Sequence, residues 1–317
     1  MTRVLVTGAS GFVGSQLCAA LSGSGCTVRA ALRKDQATQT AEKIVVGDIT
    51  STTAWGEALR DVDCVFHLAA RAHVLQADDR TVENYTETNA RGTRGLARAA
   101  AEHGVPKLIY LSSVKVNGEQ TEDRAYTASD QPHPHDPYAV SKWLGERYLK
   151  EVGAQTAMRA IIVRSPLVYG PGVQGNFLRL MRWVDSGWPI PLGSVRNARS
   201  LVNLWNLCDL LAALATNPAA PAGTWMVSDG EDLSTPELLR RIARALGRRP
   251  RLLPVPVAAL RRCASLLGRE AEFARLCGSL TVDLTQTRSA LGWSPPVSVD
   301  EALRRTVGWY KESASEV

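Results

Sequence analysis

A glycine-rich stretch at residues 7–14, with the sequence TGASGFVG, constrains the fold more than any other part of the chain. The apolar run at residues 4–6 precedes it and is typical of a buried parallel strand, while apolar residues at helical spacing follow it up to Leu21. Glycines between a strand and a helix let a dinucleotide pyrophosphate approach the backbone, and the helix N-terminus offers free N–H groups to that anion. The stretch therefore predicts a dinucleotide-binding strand, turn and helix.

Strand and helix signals alternate through the first half of the chain. Strands are predicted at residues 3–7, 27–32, 44–46, 63–68, 107–112 and 158–164, and helices at about 12–23, 53–60, 81–102 and 137–152. This alternation predicts an α/β fold with a Rossmann-type doubly wound parallel sheet, whose ligands bind at the carboxyl ends of the strands. The pattern changes near residue 165. We therefore expect a dinucleotide-binding domain over 1–172 and a smaller α/β substrate-binding region over 173–317, with some of the chain crossing back.

Composition excludes several classes of protein. With 45% hydrophobic and 21% charged residues, the 317-residue chain is typical of a globular protein, and it has no apolar run long enough for a membrane span. Six scattered cysteines indicate reduced thiols and a cytoplasmic protein. The net charge is +6, with arginines concentrated between residues 240 and 275. Because Phe273 is the only aromatic residue among them, a solvated helical face is expected and nucleic-acid binding is not.

The residues after the second predicted strand bear on the choice of cofactor. NAD-specific sites usually carry an acidic residue there, which binds the ribose 2′-hydroxyl. In this chain Leu32 occupies about that position, and Arg33 and Lys34 follow it. A guanidinium suits the 2′-phosphate of NADP through charge-assisted hydrogen bonds. NADP(H) is therefore favoured, with NAD(H) as the alternative.

A pair of reactive side chains follows the fifth predicted strand, which ends in Ser112 and Ser113. Tyr138 and Lys142 lie four residues apart, so both project from one face of the helix that Asp136 is expected to cap. Reduction of a ketone needs a proton donor at the oxygen, and the ordinary tyrosine pKa of about 10 is high for that exchange. A lysine ammonium and an oxidised nicotinamide both favour the tyrosinate, so we expect them to lower this pKa.

These motifs together resemble those of the extended short-chain dehydrogenase/reductase family, of the NAD-dependent epimerase/dehydratase type. The resemblance implies that Tyr138 is the proton donor, that Ser113 rather than Ser112 binds the substrate oxygen, and that Lys142 holds the nicotinamide ribose. It implies that Asp48 binds the adenine amine and that Asn89 supports the active site, whereas His67 is expected to be a hydrogen-bonded histidine at a strand end. The full set of cofactor contacts that it implies is Gly8, Ser10, Gly11, Phe12, Val13, Gly14, Arg33, Asp48, Ile49, Leu68, Ala69, Ala70, Asn89, Tyr138, Lys142 and Val168.

The same resemblance bears on the reaction. Family dehydratases carry Asp-Glu directly after the catalytic serine or threonine, whereas this chain has Val114 and Lys115, so elimination of water is not expected. Lys115 and Asn117 depart from the usual pattern, and their long polar side chains are expected to touch the substrate.

The second half resembles nucleotide-sugar epimerases and reductases at residues 164–172, and the resemblance implies substrate contacts from Lys115, Asn176, Phe177 and Arg199. The implied partner is a UDP-sugar and the implied assembly is a homodimer. The activity expected first is a 4-keto reductase acting on a UDP-N-acetyl-6-deoxyhexosamine in surface polysaccharide synthesis. A UDP-glucose or UDP-GlcNAc 4-epimerase is the alternative, and a non-enzymatic NADP sensor is an alternative of another class.

Overall fold

The structure is a computed structural model that describes residues 2–38, 40–71 and 79–315. Its strands are β1 (Arg3–Thr7), β2 (Thr27–Leu32), β3 (Glu42–Val45), β4 (Cys64–His67), β5 (Lys107–Ser113), β6 (Arg159–Ser165), β7 (Leu167–Tyr169), β8 (Arg199–Asn203), β9 (Gly223–Met226) and β10 (Asp232–Leu233). Its helices are α1 (Phe12–Gly23), α2 (Gly56–Leu59), α3 (Asp79–Tyr85), α4 (Gly92–Glu102), α5 (Pro137–Gln155), α6 (Gly175–Asp185), α7 (Leu204–Thr216), α8 (Thr235–Leu246), α9 (Val257–Leu266), α10 (Glu270–Cys277), α11 (Thr285–Leu291) and α12 (Val299–Ser315).

The main sheet is parallel throughout, in the order β3-β2-β1-β4-β5-β6-β9. This confirms the doubly wound sheet. The strand order reverses between β1 and β4, and ligands of such sheets bind at the carboxyl ends of the strands on either side of that reversal. The end of β1 is therefore the expected position of a bound dinucleotide.

Both faces of the main sheet are covered by helices. Alternate residues of each strand point to opposite faces, so neighbouring residues of one strand pack against different helices. Val4 and Val6 of β1 pack in one apolar cluster with α1 and α7, whereas Leu5 packs in another with α4 and α5. Burial on both faces explains why the strands are nearly continuous apolar runs.

The predicted bounds of β1, β2 and α1 are confirmed residue for residue. The helix predicted over about 81–102 is present from residue 79 to 102, but the sequence did not indicate that its middle part, Thr86–Arg91, is a π-helix between α3 and α4. This wider turn contains Asn89, whose side chain and carbonyl group both contribute to the site described below.

The second half of the chain belongs partly to the main sheet. β9 extends that sheet next to β6, and α7 packs against α1. A small sheet in the order β10-β8-β7 lies beside a separate apolar cluster formed mainly by α6, α8 and α12. Ser234 and Ser298 each accept a hydrogen bond from the backbone N–H of the glutamate three residues later, Glu237 and Glu301, which is one half of a capping box at the start of α8 and α12. No helix in the described ranges is long and apolar enough to span a membrane.

Candidate active site

The turn between β1 and α1 has the shape that a dinucleotide pyrophosphate requires. Gly8 has a φ of +69°, and a Cβ on it would lie 2.8 Å from the backbone nitrogen of Ala69. A Cβ on Gly14 would overlap the Gly8 carbonyl oxygen, so α1 can pack this closely on the turn only because residue 14 is glycine. No side chain caps α1 and its first turn contains no acid, which leaves its N–H groups to an anion. These residues fit a bound dinucleotide.

His67 closes the floor of this turn. Its two ring nitrogens lie 2.8 Å from Thr7 Oγ1 and 2.9 Å from Thr93 Oγ1, and the ring is fully buried. Burial, with a smaller contribution from the charge of Lys142, lowers the pKa of His67 to about 3. The histidine is therefore neutral at physiological pH and ties β1, β4 and α4 together, as expected for a hydrogen-bonded histidine at a strand end.

The two serines at the end of β5 have different partners. Ser112 is buried and donates to Glu146 Oε1 at 2.6 Å, which commits its hydroxyl to the interior. Ser113 is half-buried, and its Oγ accepts a hydrogen bond from the backbone of Lys115 at 3.2 Å. Its own hydroxyl proton can still be donated to a ligand, so the geometry supports Ser113 as the serine that faces the substrate.

Tyr138 and Lys142 lie on the first two turns of α5, next to β5. Asp136 caps the helix by accepting from Ala139 N at 2.7 Å, as predicted. The Lys142 ammonium is buried 4.1 Å from the centroid of the Tyr110 ring. The order of these elements places the pair at the carboxyl edge of the sheet.

The protonation of this pair differs from the expectation. Burial raises the pKa of Tyr138 to about 12, with smaller contributions from Asp136 and Tyr85. Burial also lowers the pKa of Lys142 to about 7, against the opposing charge of Glu146. The lowering of the tyrosine pKa that was expected from Lys142 is absent here, because burial dominates and the ammonium faces Tyr110. The phenol is consequently in its acid form near neutral pH.

Asn89 joins three parts of the site. Its side chain donates to Arg71 O at 3.0 Å and to Ser141 Oγ at 3.0 Å, and accepts from Arg71 N at 2.8 Å. Its carbonyl oxygen accepts from Thr93 Oγ1 and Tyr110 OH. Asn89 therefore links the segment after β4 to α5, which supports a role in holding the site together.

Two of the predicted substrate contacts, Lys115 and Arg199, are cationic side chains that have partners in the structure. Lys115 Nζ binds Glu119 at 2.9 Å and also the helix-capping Asp136. Burial works against its charge, but these two carboxylates together raise the pKa of Lys115. Arg199 is half-buried, and its guanidinium donates to Gly278 O at 3.0 Å. The remaining donors of Arg199 can serve an anionic substrate.

Two expectations about substrate contacts need correction. Asn117 is buried, where its amide accepts from Arg164 at 3.1 Å and donates to Thr127 O at 3.0 Å, so it does not face a substrate. The ring of Phe177 is also fully buried and stacks on Tyr169 with centroids 5.0 Å apart. Any contact of Phe177 with substrate must therefore use its backbone in the first turn of α6. Asn176 in the same turn is exposed.

The other predicted cofactor residues line the carboxyl edges of β1 to β4 and the neighbouring β7. Arg33 and Asp48 are both exposed, and the Arg33 guanidinium lies 3.9 Å from the Asp48 carboxylate. The other predicted residues are half-buried or exposed: Ser10, Gly11, Phe12, Val13, Ile49, Leu68, Ala69, Ala70 and Val168.

A dinucleotide turn at β1, a serine at the end of β5 and a tyrosine–lysine pair on α5 define the class of short-chain oxidoreductases. The model of the NAD dependent epimerase/dehydratase family matches residues 4–227, and the chain belongs to that family. The resemblance drawn from the sequence is thereby confirmed.

Relatives of known name match almost the whole chain. A UDP-glucose 4-epimerase of Vibrio cholerae is 39% identical over 309 residues, which is 96% of this chain and 94% of the relative. An N-acetyl-alpha-D-glucosaminyl-diphospho-ditrans,octacis-undecaprenol 4-epimerase of Escherichia coli O157:H7 is 28% identical, with the same coverage of 96% and 94%. Among solved structures, MoeE5 in complex with UDP-glucose and NAD has a TM-score of 0.79 at 26% identity and covers 98% of this chain and 99% of that one.

Proposed function

We propose that the protein catalyses reversible hydride transfer at C4 of a UDP-linked sugar. The observation that carries the proposal is the position of Ser113, Tyr138 and Lys142 at the carboxyl edge of the sheet, beside the uncapped N-terminus of α1. Support for the substrate comes from the relatives, one of them named a UDP-glucose 4-epimerase and another solved with UDP-glucose and NAD.

The side chains divide the work at C4 between them. A bound dinucleotide supplies the hydride acceptor and donor. On reduction the Tyr138 phenol would give its proton to the C4 oxygen and become a tyrosinate, and on oxidation that tyrosinate would take the proton of the C4 hydroxyl; Ser113 would donate a hydrogen bond to the same oxygen. Lys142, one turn further along α5, would hold the nicotinamide ribose and so fix the cofactor beside Tyr138. The two residues after Ser113 are the buried Val114 and the cationic Lys115. Neither is a carboxylate that could serve as acid or base for the elimination of water, so this sequence argues against a dehydratase.

Two forms of this activity fit the site. The UDP-glucose 4-epimerase relative, at 39% identity over nearly the whole chain, favours a 4-epimerase, which reduces its own keto intermediate and so regenerates its cofactor. The exposed Arg33 favours the second form, a UDP-4-keto-6-deoxy-N-acetylhexosamine reductase, which must exchange its cofactor with the NADPH pool. We take the epimerase as the first form to test.

The two activities can be distinguished by the substrate that the protein converts. The purified protein is incubated with UDP-glucose or UDP-GlcNAc without added cofactor, and separately with a UDP-4-keto-6-deoxy sugar and NADPH. Inversion at C4 without added cofactor identifies the epimerase. Oxidation of NADPH by the keto sugar, with UDP-GlcNAc unchanged, identifies the reductase. Failure of both reactions across several nucleotide sugars would contradict the proposal.

Arg199→Ala tests the position of the substrate diphosphate. The loss of one charge-assisted hydrogen bond to a phosphate is expected to raise the KM for the UDP-sugar by about 10-fold or more. The affinity for the dinucleotide should not change, because Arg199 lies on β8 of the small sheet and not in the turn between β1 and α1. Arg196→Ala removes an exposed arginine three residues earlier and serves as the matched control. Equal KM values for the two variants would remove Arg199 from the site.

Arg33→Ala tests the preference for NADP(H). An exposed pair such as Arg33 and Asp48 contributes little by itself, so the guanidinium is available to a 2′-phosphate. We expect wild type to bind NADPH more tightly than NADH by on the order of 2–4 kcal/mol, and the variant to lose that difference while still binding NADH. Fluorescence titration of both cofactors measures this, with Arg60→Ala as a control at another exposed arginine. A wild type that prefers NADH would show that the NADP prediction is wrong.

A further inference from the structure

The helical hairpin formed by α9 and α10, residues 257–277, projects two leucines into solvent. Neither helix contains a fully buried residue, although Leu260 and Leu276 pack from one side against the core of the second half. At the tip, Leu266 is 88% exposed and Leu267 is 71% exposed. The hairpin is therefore attached to the core through its base, and the leucine pair at its tip takes no part in that packing.

The hairpin and the segment that leads into it carry most of the excess positive charge of the chain. Residues 248–277 contain seven arginines and two glutamates, whereas the whole chain has a net charge of +6. All seven arginines are exposed: Arg248, Arg249, Arg251, Arg261, Arg262, Arg269 and Arg275. Arg248 pairs with Asp185 and Arg261 lies over the Phe273 ring, and the other five form no ion pair with any residue in the described ranges.

We propose that this hairpin docks the protein on a membrane surface that contains anionic lipids. Leucines at a convex tip can enter the boundary between lipid headgroups and acyl chains without any partner of matching shape. Arginines on either side, Arg262 and Arg269, are then level with the lipid phosphates and bind them by charge-assisted hydrogen bonds. A nucleic acid would satisfy the arginines but leave the leucines in water. A protein partner needs a contact area far larger than a two-leucine tip provides.

The hairpin is joined directly to the candidate substrate site. The chain leaves α10 at Cys277, and the next carbonyl, of Gly278, accepts the hydrogen bond from Arg199. Docking would therefore hold the substrate side of the enzyme close to the lipid surface. The inference does not depend on the proposed function, since binding to lipid is measured without substrate.

Vesicle flotation with the full-length protein tests the docking. Vesicles of phosphatidylcholine alone are compared with vesicles that also contain phosphatidylglycerol, at low and high salt. We expect binding only to the anionic vesicles and weaker binding at high salt. Leu266→Ser/Leu267→Ser and Arg262→Glu/Arg269→Glu should each reduce the bound fraction by about 10-fold or more, because either half of the contact is lost. All four positions are exposed, so thermal melting should match wild type.

Matched substitutions elsewhere on the surface are the controls. Val45→Ser removes another exposed apolar side chain and Arg98→Glu reverses another exposed arginine, and neither should change binding. Absence of binding, equal binding to neutral vesicles, or binding that survives the leucine substitutions would each overturn the proposal. Salt-sensitive binding to duplex DNA that is independent of the leucines would assign the surface to nucleic acid instead. Sedimentation velocity, which also tests the predicted homodimer, would overturn the proposal if the leucine substitutions dissociated an oligomer.

Discussion

Tyr138→Phe is expected to lower kcat by about 10²-fold or more, with little change in stability or cofactor affinity. The substitution removes only a hydroxyl, and the ring keeps its edge contact with Tyr85, 6.0 Å away between centroids. Burial raises the pKa of Tyr138 to about 12, so the phenol holds its proton near neutrality and can give it to a C4 ketone. The measurement is kcat with whichever UDP-sugar the wild-type protein converts, together with a titration of the dinucleotide.

Two variants on the same helix make this result specific. Tyr148→Phe removes a phenol from a tyrosine whose ring lies under Arg94, with the guanidinium 5.0 Å from its centroid, and should leave kcat unchanged. Lys142→Met keeps most of the buried side-chain volume and loses the ammonium, so it should weaken dinucleotide binding as well as turnover. Near-normal turnover in Tyr138→Phe would show that Tyr138 is not the proton donor.

The main sheet could be predicted because each buried strand is an apolar run bounded by turn residues. β1, α1 and β2 have the predicted bounds, since their apolar spacing changes sharply at the glycines. The π-helical stretch between α3 and α4 could not be predicted, because a π-helix adds a residue to one turn without disturbing the apolar pattern around it. The resemblance placed Asn89 in the active site, but the sequence alone did not show that its carbonyl group takes two hydroxyl donors.

The polar contacts of the site were less predictable than the fold. The choice of Ser113 over Ser112 is supported by the geometry, because Glu146 takes up the hydroxyl of Ser112. Asn117 was expected to face substrate, but its partner Arg164 is 47 residues away in sequence and reaches it only through the pairing of β5 with β6. Such pairs depend on strand register, which local patterns do not specify.

Glu146→Gln is the second substitution with a large expected effect, because Glu146 and Arg164 form an ion pair in which each side chain is only 1% exposed. Two hydrogen bonds join them, Arg164 Nε to Oε1 at 2.9 Å and a terminal nitrogen to Oε2 at 2.6 Å. The variant leaves the guanidinium charge buried with an uncharged partner. The expected cost in unfolding free energy is about 3–5 kcal/mol, which lowers the Tm of a chain this long by about 4–8 °C.

The same substitution should also affect catalysis, because Glu146 accepts a hydrogen bond from Ser112, next to the proposed catalytic residue Ser113, and lies one turn after Lys142 on α5. Its charge supports the Lys142 ammonium, so its loss is expected to move the pKa of Lys142 below about 7. The alkaline limb of the pH–rate profile, where Lys142 loses its proton, should then move to lower pH in the variant. Glu151→Gln is the control, since this acid on the same helix is 45% exposed and lies 3.7 Å from Arg94, and exposed pairs contribute little to stability. A loss of Tm without a shift in the pH–rate profile would show that Glu146 has only a structural role. Both changes together would identify Glu146 as a positioning residue that keeps Lys142 protonated.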